Sequence, residues 1–171
     1  GKANRFLSHY VDVAFVGFPE AAAKLHTQKT LPTGTPVRPQ FQPRDAAACR
    51  VALGLNPTRP AILVVGGSQG ARSLNELILS ALPLVKEKDW QWLHLTGAND
   101  FEKVQGTYVA LGIDAVVKPF LAEMDLALGA ATTCISRACA LSLAEIAAMR
   151  LPSVLVPLPT AADTHQYFKA L

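Results

Sequence analysis

The 171-residue chain is expected to fold as an α/β protein with a mostly parallel sheet and helices on both faces. Three observations carry this expectation. Short apolar, β-branched runs bounded by turn residues alternate with longer segments of helical period, and from residue 60 onward the strand-like runs recur every 20 to 30 residues. The runs AILVV and SVLVP are apolar throughout rather than alternating, as strands are when both faces are covered. Apolar residues make up 50% of the chain and charged residues 17%, which is enough to build a core and too apolar for a disordered chain.

Taken in order, strands are expected at Val11–Val16, Ala61–Val65, Trp90–Thr96, Ile113–Val117, Thr132–Ile135 and Ser153–Val156. Helices are expected at Ala46–Leu53, Ala71–Lys86, Asp100–Leu111, Leu121–Ala130 and Ala140–Met149. Trp90 and Trp92 alternate with Gln91, the pattern of a strand with one face buried. Leu31–Asp45 holds four prolines and a glycine in fifteen residues. Proline removes a backbone donor and biases the preceding residue away from helix, so a linker is expected there. Residues 1–38 then form the end of one domain and its linker, and 39–171 most of a second. The first piece is too short to bury a core of its own. The chain opens without Met and stops in what reads as a helix barely begun, so a fragment of a longer protein is expected.

Several classes are excluded. The longest stretch without Asp, Glu, Lys or Arg is twelve residues, and a bilayer-spanning helix needs about 20. A net charge of +3, scattered along the chain, does not point to nucleic acid. Cys49, Cys134 and Cys139 form no CxxC pair, which argues against a disulfide scaffold or a zinc site and suits a reducing, cytosolic setting. They read as buried small residues. His9, His26 and His94 are isolated from other ligand-type residues and read as surface or packing groups.

The sharpest local feature is the strand Ala61–Val65 running into Gly66-Gly67-Ser68-Gln69-Gly70 and then a helix. Glycines let backbone approach a ligand closely, and free N–H groups at the start of a helix favour phosphate. A tight turn that binds nothing would look the same. The spacing is neither GxxxxGK[ST] nor GxGxxG, which disfavours a P-loop and a dinucleotide module. A second strand–turn–helix spans Thr132–Ile146, and in open parallel sheets ligands gather beyond such carboxyl ends. Glu145 in that helix either accepts hydrogen bonds from vicinal hydroxyls or is a solvated helix residue. Arg72 and Arg137 stand beside the two turns, as ligand contacts or as solvated cations. Beyond the last strand, Asp163 reads as a helix cap, and His165 and Gln166 as sugar-facing or surface residues.

Four segments together resemble the carboxyl half of the MurG-type glycosyltransferases of peptidoglycan synthesis. They are TGTPVR (Thr33–Arg38), ILVVGGSQGARSLN (Ile62–Asn75), PFLAEM (Pro119–Met124) and SRACALSLAEIAAMRLPSVLVPLPTAADTHQ (Ser136–Gln166). Asn4–Ala21 is similar to the end of the family's amino-terminal domain. The resemblance implies the GT-B architecture, two Rossmann-like domains facing across a cleft, of which 39–171 would be the UDP-sugar donor domain. It implies inverting transfer of GlcNAc from UDP-GlcNAc to a lipid-linked muramoyl-pentapeptide at the cytoplasmic face of the membrane, with no cofactor, metal or nucleic acid. Arg38 and Ser68 would contact the diphosphate beside the loop glycines Gly66, Gly67 and Gly70. Leu121 would lie against uracil, and Ala140, Leu141, Ser142, Leu143 and Ala144 would present helix N–H groups to phosphate. Glu145 would bind the ribose and Gln166 the GlcNAc hydroxyls. No catalytic residue falls in this chain, because the base belongs to the amino-terminal domain, so the chain alone would supply donor binding without turnover.

Three positions depart from the family pattern: Thr35 and Thr164 each replace an Asn, and Cys139 replaces a glycine. A residue with a Cβ at position 139 would be strained if the turn needs φ > 0. The other readings are a non-catalytic subunit of a split GT-B enzyme and an NAD-type module. The latter lacks both GxGxxG and an acidic residue closing the second strand, since Thr96 and Gly97 stand there.

Overall fold

Five of the expected strands lie side by side in one parallel sheet, in the order β5-β4-β3-β6-β7. The computed structural model describes residues 2–157. The chain divides into two compact units, Gly1–Val37 and Arg38–Leu171.

The first unit contains α1 (Lys2–Leu7), β1 (Ala14–Val16), a 3-10 turn (Pro19–Lys24) and β2 (Thr30–Pro32). β1 and β2 pair in parallel, with Ala14 opposite Thr30. β2 was not expected: it occupies the start of the proline-rich stretch, where Pro32 forms the strand's end and the Thr33 N–H just beyond it donates to the Val16 carbonyl at 3.0 Å. β1 is shorter than the expected Val11–Val16. Among the unit's described residues only Ser8 and Val16 are buried, and Phe6, Phe15 and Phe18 are exposed. This piece buries almost no core.

The second unit opens with α2 (Ala46–Ala52), capped by the Asp45 carboxylate, which accepts hydrogen bonds from the Ala47 and Ala48 N–H groups. There follow β3 (Ala61–Val65), α3 (Arg72–Val85), β4 (Gln91–Leu95), α4 (Phe101–Leu111), β5 (Ala115–Lys118), α5 (Met124–Ala130), β6 (Thr133–Arg137), α6 (Ala140–Ala148) and β7 (Ser153–Val156). All neighbouring pairs are parallel. The chain starts at the central β3, builds outward through β4 and β5, then returns to the other side of β3 with β6 and β7. This is the Rossmann-like order, and its switch point lies between β3 and β6.

Burial follows from that position. All five residues of β3 and all five of β4 are buried. Ile62 and Val64 pack with Trp92, with Leu74, Ile78 and Leu82 of α3, and with Val104 and Tyr108 of α4. Strand alternation sends Leu63 to the opposite face, where it is also fully buried. The expectation of a one-faced strand at Trp90–Thr96 is therefore wrong. The polar members of β4 are buried because partners meet them. The Gln91 amide donates to the Asn56 and Arg59 carbonyls and accepts from the Asn56 N–H. His94 Nε2 lies 3.1 Å from Asn75 Oδ1 and Nδ1 lies 3.2 Å from the Tyr108 hydroxyl.

Three boundaries shift. β5 starts two residues later than expected because Gly112 ends α4 in the left-handed region, φ 64°. α5 begins at Met124 instead of Leu121, which leaves 121–123 as loop. β6 runs on to Arg137, pairing with Val156. Cys134 matches the buried-cysteine reading, and burial pushes its thiol up to about 12. Cys139 does not: it is half-buried at the start of α6.

α6 ends in a Schellman turn. The Arg150 N–H donates to the Ala147 carbonyl and the Leu151 N–H to that of Ile146, with Arg150 at φ 53°. An L-residue in that region costs about 1 kcal/mol relative to glycine, and the Arg150 side chain is exposed. Arg150→Gly is expected to raise stability by about 1 kcal/mol in urea unfolding. An unchanged midpoint would show that the arginine recovers this cost through its side chain.

Candidate functional site

β3 ends at Val65, and its extension, Gly66–Gly70, lies beyond the carboxyl end of the sheet. Three positions in this loop require glycine, the first because a Cβ on Gly66 would fall 2.6 Å from the Ala71 nitrogen and the other two by their backbone conformation. Gly67 has φ 98° and Gly70 φ 74°. A Cβ on Gly70 would also run into the Thr96 carbonyl oxygen at the end of β4. The loop therefore rests on the β4 end, while Gly67, Ser68 and Gln69 remain exposed. α3 begins behind it with Ala71 at the cap, which makes no side-chain hydrogen bond to the helix start. Its first N–H groups point out of the helix without a side-chain acceptor.

The end of β6 repeats the arrangement on the other side of the switch point. Cys139 occupies the cap of α6 at φ −84° and ψ 140°, again with no side-chain cap bond. This backbone is extended and accepts a Cβ, so the cysteine in place of the family's glycine brings no strain. The end of β6 also carries a buried guanidinium nitrogen, Arg137 Nε, with no hydrogen-bond partner among the described residues. Arg137 is thus half-buried, not solvated. Arg72 is the reverse case: exposed, and paired with Glu76 one turn along α3 at 3.0 Å.

A cavity of about 310 Å³ opens between these elements. Gly67 and Ser68 of the glycine loop line it, with Pro119–Ala122 and Met124 after β5. Leu141, Ser142 and Glu145 of α6 close a further side, and Arg38 stands at its edge. The Glu145 side chain retains 12% of its exposure, and its Oε1 lies 3.3 Å from Arg38 Nη2. Glu145 is therefore not a solvated helix residue. The Arg38 guanidinium also sits 4.8 Å above the centre of the buried Phe41 ring.

Of the residues named from sequence, Arg38, Gly67, Ser68, Leu121, Leu141, Ser142 and Glu145 share this cavity. Gly66, Gly70, Ala140, Leu143 and Ala144 frame the loop and the helix without lining it. Asp163, Thr164, His165 and Gln166 lie outside the described residues. Leu121 is 9% exposed and lines the cavity. Sequence reasoning missed Phe120, an exposed ring on the cavity wall. An aromatic residue directly after a strand end and a proline, in PFLAEM, was the available signal. Among the described residues no three His, Cys, Asp or Glu side chains come together as a metal site, and no helix is long and apolar enough to cross a membrane.

Comparison with known proteins matches residues 61–171 to the glycosyltransferase family 28 C-terminal domain. A relative from Halalkalibacterium halodurans, a UDP-N-acetylglucosamine–N-acetylmuramyl-(pentapeptide) pyrophosphoryl-undecaprenol N-acetylglucosamine transferase, is 37% identical over 97% of this chain and 46% of its own length. The protein of the same name from Moorella thermoacetica is 39% identical over 99% of this chain and 48% of its own. A crystal structure of Acinetobacter baumannii MurG superposes with a TM-score of 0.67 at 30% identity, over 92% of this chain and 47% of that one. The chain thus spans about half the length of the curated relatives it matches. The MurG-type resemblance and the Rossmann-like fold expected from sequence are both borne out. A parallel sheet carrying two uncapped helix starts at its switch point, matched by that domain over residues 61–171, places the chain in glycosyltransferase family 28.

Proposed function

We propose that the cavity at the β3/β6 switch point seats the nucleotide of UDP-GlcNAc, and that this chain is the donor-binding half of a GlcNAc transferase acting on a lipid-linked muramoyl-pentapeptide. The observation that carries the reading is the position of the half-buried Glu145 carboxylate, in one cavity with the exposed glycine loop and the start of α6. A carboxylate accepts two hydrogen bonds from vicinal ribose hydroxyls. The N–H groups at the starts of α3 and α6 and the guanidinium of Arg38 supply positive potential for the diphosphate, with Ser68 adding a hydroxyl. The end of β6 adds the buried Arg137 Nε, which has no hydrogen-bond partner among the described residues. The backbone at Leu121 reads the uracil edge, and the exposed Phe120 ring offers an apolar face.

In the whole enzyme a base on the other domain takes the proton of the acceptor hydroxyl. The freed oxygen attacks the anomeric carbon as the bond from that carbon to the UDP oxygen breaks, inverting configuration. The charge that develops on the leaving diphosphate is met by fixed dipoles and cations already in place. The acceptor side and the cytoplasmic membrane surface belong to that other domain.

Calorimetric titration of the chain with UDP, UDP-GlcNAc and NADH tests the reading. The two uridine nucleotides are expected to bind and NADH is not. Glu145→Ala is expected to weaken UDP binding by about 1.5–3 kcal/mol, roughly tenfold to a hundredfold, because a charge-assisted hydrogen bond is lost. Absence of heat with the folded chain, or unchanged affinity in the variant, counts against it.

A further inference from the structure

The two side chains assigned to opposite ends of the nucleotide hold each other. Arg38 Nη2 meets Glu145 Oε1 at 3.3 Å on the cavity wall. The arrangement is asymmetric. Glu145 keeps only 12% of its side-chain exposure, whereas Arg38 keeps 55% and rests on the Phe41 ring 4.8 Å away. The Arg38 backbone is tied in the same turn, its carbonyl accepting from the Phe41 N–H at 3.1 Å. Arg38 is thus a half-exposed arm on a buried platform, with a carboxylate as its partner.

We propose that the Arg38–Glu145 pair is a selectivity gate that makes the site prefer phosphate-bearing nucleotides over bare nucleosides; this rests on the uridine diphosphate reading of the cavity. A ribose that takes both Glu145 oxygens competes with Arg38 for Oε1. A nucleoside offers the released guanidinium nothing, so the broken pair is an uncompensated cost. A nucleoside diphosphate returns a phosphate oxygen to the same guanidinium, and the exchange is nearly balanced. Specificity then comes from a repulsive element against the smaller ligand as well as from new contacts with the larger one.

This predicts effects of opposite sign from one substitution. Removing the arm in Arg38→Ala frees Glu145 for the ribose but takes a cation from the diphosphate. Uridine is expected to bind about twofold to fivefold tighter, the size of a partly exposed ion pair. UDP is expected to bind about tenfold more weakly, from the lost charge-assisted contact. Arg38→Gln should give the same signs. In a Glu145→Gln background, Arg38→Ala should leave uridine affinity unchanged, since no pair remains to be released.

The experiment titrates the 171-residue chain and its variants with uridine by NMR line shifts and with UDP by calorimetry, circular dichroism confirming the fold of each. Opposite shifts for the two ligands, abolished by Glu145→Gln, establish the gate. Weaker or unchanged uridine binding in both Arg38 variants, with UDP bound normally by the parent chain, overturns the gate and leaves the UDP site standing. A folded parent chain that binds neither ligand overturns both.

Discussion

Replacing Gly70 with alanine is expected to destabilise the second unit by about 3 kcal/mol or more and to abolish uridine nucleotide binding. Two costs add. At φ 74° the residue occupies the left-handed region, which penalises an L-side chain by about 1–2 kcal/mol. The new methyl would also meet the Thr96 carbonyl oxygen and, at 2.8 Å, the Gly97 Cα. Backbone cannot swing aside as a side-chain tip does, so relieving the overlap means lifting the loop off β4, at about 1–3 kcal/mol for an overpacked site. Lifting the loop moves Gly67 and Ser68, which line the cavity, out of register with α6. Gly106→Ala is the control: the position is helical, and a Cβ there meets nothing within 4 Å. Urea unfolding and UDP calorimetry on both variants check this, and equal stabilities would mean the loop is not seated as described.

Acid is expected to weaken the fold through His94. Burial lowers this imidazole from 6.5 to about 4. Its neighbours, Asn75 Oδ1 and the Tyr108 hydroxyl, carry no charge that could offset a proton, and Asn75 Nδ2 is committed to the Thr96 carbonyl and Asp100 Oδ2. The unfolded chain takes up the proton near 6.5 while the folded one refuses it until about 4. Between those values the unfolded state binds more protons, so stability falls as pH falls. This stability is fully present above about 6.5, and the loss reaches about 3 kcal/mol once pH has dropped to about 4. Comparing urea midpoints near neutrality and near pH 4.5 for the parent and for His94→Gln isolates the effect. A parent chain that loses no more stability than the variant would sink the assignment. Because Asn75 also ties down the Thr96 carbonyl under Gly70, UDP affinity should decline only as pH falls through about 4, where the folded chain takes up the proton.

The sheet was legible because its signals are local. β3 and β7 fall at the expected residues, but only AILVV is covered along its whole length; β7 is an edge strand with Ser153 and Val154 exposed, so its apolar run signalled the strand and not two covered faces. α2 starts at the expected Ala46, where the Asp45 carboxylate caps it. β4 was misread because alternation of Trp and Gln signals a one-faced strand only when the polar residue meets water. Here Gln91 meets the 56–59 turn and His94 meets α3 and α4, partners 14 to 35 residues away in sequence. β2 was hidden for a related reason, since proline at its end satisfies the pattern of a linker as well as that of a strand terminus.

Residue type and spacing by themselves determined the α/β class, the two glycine-and-turn segments, and the family those segments resemble. Each of these depends on torsional preference or apolar periodicity within one short stretch. Only the folded chain decided that β3 and β6 are neighbours, which brings the two helix starts together, and that Arg38 reaches Glu145 across 107 positions of sequence. Contacts of that range depend on strand order and side-chain packing, for which a single sequence carries no local energetic signature.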